Sequence, residues 1–166
     1  MRIATKTAFI ETHPTVLALY CSDGRYTRAV EELAETLGHP RIDVLCVPGG
    51  AGAMDAWTSG SVILAGHLRS QAEFLIAAHH ITEVLLISHE SCGFYKAQHA
   101  QIDDHGRRLR QVQDLARAAA LLMHGRPHLN VRTFHARNDG ARIVFDPGDR
   151  VSAAASSPAP HPTTAR

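Results

Sequence analysis

Two short stretches carry the residue types that bind metals. Val16–Cys21 is an unbroken apolar run ending in Cys21, with Asp23 and Arg25 close behind. Val84–Ser88 is a second apolar run, followed at once by His89 and three residues later by Cys92. Thiolate sulfur and imidazole nitrogen are the donors that zinc takes in a tetrahedral site. Three protein donors leave one position for water, the arrangement of a reactive zinc rather than a structural one. Cys21, His89 and Cys92 are therefore the candidate zinc ligands. Cys92 at the start of a helix would have its thiolate stabilised by backbone amides. Asp23 and Arg25 lie two apart in a polar loop, so both can face one side, and a bidentate contact would hold Asp23 ionised.

Each residue alone also has a plain reading. A cysteine at a strand end is usually a small buried hydrophobe, and an Asp–Arg pair is often a loop salt bridge. The metal follows from the whole set converging from two strand ends. Cys46, inside another apolar run, is assigned to the core. His99, His105 and His135 are assigned surface roles.

The elements that must position the set read as alternating strands and helices. Strands are expected at Val16–Cys21, Ile42–Val47, Glu83–Ser88 and Asn130–Ala136, all buried as in a parallel sheet. Helices are expected from Thr27, as cap, to about Leu37, from Ser59 or Ser61 to about His80, and from Arg107 to Met123. A helix start or tight turn covers Cys92–Gln98. Asn138-Asp139-Gly140 signals a hairpin returning along Arg142–Phe145. The fold class is α/β, with a mostly parallel central sheet of order 2-1-3-4, an antiparallel edge strand 5 and flanking helices. That order sets strands 1 and 3 side by side, and ligands gather at such a switch point.

The 166 residues suit one domain. It divides into an arm at 1–13, the zinc domain at 14–150 and a tail at 151–166, read as disordered from its Ala, Ser, Pro and Thr. A net charge of +1 leaves no strong field to draw nucleic acid or a membrane surface. The longest apolar runs, of about eight residues, fall short of a membrane span. The first residues lack the apolar stretch of a secretory signal. A reducing cytoplasm is expected, where cysteine serves as a ligand before a disulfide. The Gly-rich loop at Gly49–Gly52 lacks the third glycine and the downstream acid of a dinucleotide site, and no Gly-Lys-Ser/Thr follows it. It is read as a turn that lets a helix approach the metal closely.

The motifs Cys21-Ser22-Asp23-Gly24-Arg25 and His89-Glu90-Ser91-Cys92-Gly93 resemble the signature of the β-class carbonic anhydrases, Cys-x-Asp-x-Arg followed by His-x-x-Cys. The resemblance spans roughly residues 14–147. It implies reversible hydration of carbon dioxide to bicarbonate by a zinc-bound hydroxide, with Asp23 accepting a hydrogen bond from the zinc-bound water and Arg25 holding Asp23. It also implies a homodimer or higher oligomer, and Phe94 and Tyr95 as apolar walls. The chain departs from the family at Gly24, where serine is common, at Glu90, and at Val47-Pro48-Gly49-Gly50, where Arg-Asn-Ala-Gly is typical. Relatives of the family hydrolyse carbonyl sulfide or carbon disulfide, or bind zinc without known turnover. Both remain alternatives, the second supported if Glu90 or Asp23 fills the fourth zinc position.

Overall fold

A computed structural model describes residues 2–148. The tail at 151–166 and the end of the zinc domain at 149–150 lie outside the described residues. The elements in chain order are β1 (Val16–Cys21), α1 (Thr27–Thr36), β2 (Asp43–Val47), a 3-10 turn (Gly50–Met54), α2 (Ala56–Ser59) and α3 (Val62–Ala78). There follow β3 (Glu83–His89), α4 (Gly93–Gln98), α5 (Asp104–Met123), β4 (Asn130–Asn138) and β5 (Ile143–Pro147).

The sheet order is β2-β1-β3-β4-β5. The first four strands run parallel, and β5 returns antiparallel to β4. Adjacent β1 and β3 pair Tyr20 with Ile87, so Cys21 and His89 leave the sheet at one edge. Both strands are buried on two faces because alternate residues meet helices on either side. Leu17, Leu19, Val84 and Leu86 pack with α3 and α5 through Leu68, Ala72, Leu115 and Leu122. Val16, Ala18, Leu85 and Ile87 pack on Val30 and Ala34 of α1. Full burial of each such aliphatic side chain contributes about 1.5–3 kcal/mol.

Several boundaries differ from the sequence reading. β2 is an edge strand, not a buried one; Val44 is 45% exposed. Cys46 is exposed with it rather than in the core, because α1 packs over β1, β3 and β4 and leaves this edge uncovered. Tyr26, not Thr27, precedes the first turn of α1, without a side-chain cap. α5 begins at Asp104 rather than Arg107, because Asp103 Oδ1 caps it by accepting from Gly106 N–H at 2.7 Å. Ser61 caps α3 as expected. The arm contains no helix or strand among its described residues, and Phe9 is 90% exposed. Arg41 holds it by donating to the Thr12 carbonyl at 2.8 Å.

Candidate metal centre

Cys21 ends β1, His89 ends β3, and Cys92 stands at the N-cap of α4. The turn between His89 and Cys92 is made at Ser91, with φ of 54°, which folds the chain back over the strand end. Cys21, His89 and Cys92 are all buried, and their ligand atoms lie within 4.8 Å of one another. The two sulfurs are 3.8 Å apart. No other His, Cys, Asp or Glu among the described residues joins the group.

The surroundings fit a metal ion. His89 Nδ1 donates to the Glu90 carbonyl at 2.8 Å, which leaves Nε2 as the basic nitrogen. That Nε2 is buried with no hydrogen-bond partner. A buried polar atom without a partner is costly, and an ion shared with two sulfurs would satisfy it. Two thiolates and one imidazole are a donor set suited to zinc. The Tyr26 ring lies against the imidazole at 4.3 Å between centroids.

Without a metal, the two thiols share a proton unequally. The Cys21 thiol is pulled down, chiefly through its bond from Cys92, with His89 and the Gly49 and Asp23 amides helping against burial. Cys92 is pushed up by the Cys21 thiolate and by burial. The Phe94 and Tyr95 amides at the helix start pull the Cys92 thiol down, as the sequence reading has it, but the Cys21 thiolate and burial outweigh them.

Asp23 and Arg25 meet as expected. Arg25 Nε donates to Asp23 Oδ1 at 2.9 Å and Nη2 to Oδ2 at 2.5 Å, and the Arg25 amide adds a bond at 3.1 Å. These contacts hold the Asp23 carboxyl down at about 2. Glu90 does not approach the sulfurs; its Oε1 accepts from the Asn138 amide at 2.5 Å, tying the loop to β4.

The glycine loop makes the close approach that its composition implies. Gly49 N–H donates to Cys21 Sγ at 3.4 Å. A Cβ on Gly49 would lie 2.4 Å from the Phe94 ring, and one on Gly52 would collide with the Tyr95 hydroxyl. Phe94 and Tyr95 both pack against the cysteines. Tyr95 is only partly the wall expected, because its hydroxyl turns away to donate to Asp114 Oδ2 at 2.9 Å. His99 and His135 are buried rather than at the surface, and His135 Nδ1 bonds the Ser88 hydroxyl at 2.9 Å.

Two buried polar residues of α5, Gln111 and Asp114, are absent from the sequence candidates. Gln111 donates to the His89 carbonyl at 2.9 Å. Asp114 also accepts from Thr58 at 2.7 Å and pairs with Arg110 and Arg117. Their signal is positional: 111, 114, 115, 118 and 122 form one helical stripe whose other members are apolar.

By sequence, the chain matches no protein-family model and no curated protein. By structure it resembles solved β-carbonic anhydrases. One is a tetrameric enzyme from Sordaria macrospora, with TM-score 0.52 and 14% identity over 81% of each chain. A second, from Trichomonas vaginalis, gives 0.52 and 14% over 85% of this chain and 87% of that one. A carbonic anhydrase from Streptococcus mutans gives 0.51 and 16%, over 84% and 86%. The fold is the β-carbonic anhydrase fold. Sheet order, antiparallel edge strand and flanking helices all agree with the sequence expectation.

Proposed function

We propose that this chain is a zinc enzyme that reversibly hydrates carbon dioxide to bicarbonate. The observation that carries the reading is the buried Cys21–His89–Cys92 donor set beside the Asp23–Arg25 pair. The β-carbonic anhydrase fold supports it.

Cys21, His89 and Cys92 hold the ion in this reading. Zinc bound there supplies a Lewis acid that lowers the pKa of water at the site from about 15.7 towards 7. Asp23, kept ionised by Arg25, only accepts hydrogen bonds. It would therefore accept a hydrogen bond from the attacking oxygen and turn that oxygen's lone pair towards the substrate carbon. Arg25 engages both carboxylate oxygens of Asp23, which supports a role as acceptor beside the ion rather than as a fourth donor. Water's oxygen forms the new bond to carbon, and one proton leaves to solvent. Glu90 is engaged by the Asn138 amide, which speaks against Glu90 as a fourth donor and supports the catalytic reading.

The reading includes a cytoplasmic homo-oligomer. Trp57, Val62, Ile63 and Leu64, close in sequence, are each more than half exposed, with Trp57 at 77%. An apolar patch of this kind on a small chain suits a second copy. No helix among the described residues is long and apolar enough to cross a membrane. Sedimentation of the purified protein as a monomer would remove the oligomer.

The test is zinc content together with stopped-flow hydration of carbon dioxide between pH 7 and 9, with carbonyl sulfide hydrolysis in parallel. One zinc per chain and a hydration rate rising with pH is the expected result. Turnover of the sulfur gas alone would reassign the substrate. Zinc without either activity would leave a binding protein.

A further inference from the structure

The peptide joining His89 to Glu90 is held at both polar atoms. Its N–H, from Glu90, donates to the Ala136 carbonyl of β4 at 2.9 Å. Its carbonyl, from His89, accepts from Gln111 Nε2 at 2.9 Å. The His89 ring is tied to the same turn through Nδ1 and the Glu90 carbonyl. Any tilt of this peptide is therefore carried to the imidazole. The Ala136 bond belongs to the sheet, whereas the Gln111 bond comes from a helix on the other side of the chain.

Gln111 is 3% exposed. An amide buried to that degree is costly unless it is hydrogen-bonded, and an apolar side chain would fill the space without that cost. Three residues further along α5, Asp114 accepts the Tyr95 hydroxyl. Tyr95 belongs to the first turn of α4, which Cys92 caps. Its hydroxyl lies where a side chain on Gly52 would begin, so this placement depends on that glycine. One turn of α5 thus braces both ends of the segment from His89 to Cys92.

We propose that Gln111 is a positioning residue of the metal centre, fixing through the His89 carbonyl the angle at which His89 Nε2 meets the ion. The inference rests on Cys21, His89 and Cys92 being metal ligands. Partners one bond removed from a metal ligand typically contribute 10–100-fold in metal affinity.

The test titrates the full-length, metal-free protein with zinc, and separately with cobalt(II), whose visible bands report donor geometry. Gln111→Met keeps the side-chain length and removes the donor. It should weaken zinc binding roughly 10–100-fold and shift the cobalt bands. Gln111→Leu removes the amide at similar volume, and should do likewise should the Met variant fail to fold. Leu115→Ala is the control, since it damages the same helix in the core without touching the His89 peptide. Its zinc affinity should change by no more than about twofold. Unchanged affinity and spectrum in the Gln111 variants, or an equal loss in Leu115→Ala, overturns the inference while leaving the metal centre standing. A wild-type protein that takes up neither ion overturns the metal centre itself, and this inference with it.

Discussion

At the carboxyl edge of the sheet, His89 faces two sulfurs and keeps Nε2 without a hydrogen bond. At the amino edge, His79 bonds Asp43 at 2.5 Å through Nδ1 and stacks on His13 at 3.9 Å. Nearby, His39 and Arg132 both face Glu83, at 3.4 and 3.5 Å. The two edges use the same side chain for different ends. A carboxylate neighbour completes a histidine by taking its ring N–H. Two sulfur neighbours leave Nε2 without a hydrogen bond, and a metal ion shared with them would fill that place. Histidine count therefore says little about a metal, and the neighbouring atoms say most.

The sharpest way to break this contrast is His89→Ala. Zinc measured by atomic absorption should drop from one per chain to background, with hydration lost, whereas His79→Ala should keep both. Asp23→Ala comes next. It should retain zinc while the hydration rate falls about 10²–10³-fold, since it removes a preorganised acceptor rather than a ligand. Wild-type rates in that variant would dismiss Asp23 from the chemistry.

Stability probes separate the shared strand from its ends. Leu86→Ala, in the middle of β3, should cost about 2–5 kcal/mol by urea denaturation. Val44→Ala on the exposed edge strand should cost within about 0.5 kcal/mol. His135 offers a pH readout. Burial, then the Arg108 charge, lowers it from 6.5 to about 4. The unfolded chain takes up this proton below about 6.5 and the folded chain only below about 4. Stability is thus full above that window and lost as pH falls through it, by on the order of 2 kcal/mol. His135→Asn should flatten the slope. At the amino edge, His79→Ala should cost about 1 kcal/mol or less.

The sequence was most legible where chemistry and burial coincide. Cys21 and His89 end apolar runs that read as central strands, Cys92 follows three residues on, and the order 2-1-3-4 brings those ends together. β2 was harder. Asp43–Val47 is as apolar as a buried strand, yet its exposure depends on how far α1 extends across the sheet, which its own residues do not encode. Gln111 and Asp114 were harder still, because a polar residue on a helix reads as a solvated face until a strand end and a tyrosine are seen beneath it. The unequal sharing of a proton between Cys21 and Cys92 depends on a distance that no spacing specifies.

Cys21 and Cys92 stand 71 positions apart, and the span between them carries α1, β2, α2, α3 and β3. A shared ion would close that span into a ring. The entropy a ring removes from the unfolded chain rises only with the logarithm of its size, so a clasp of this reach restrains nearly half of the protein at a single point. The same two thiols would then act as a fastening for the chain as well as a seat for chemistry, and a chelator would loosen the body while it silenced the site.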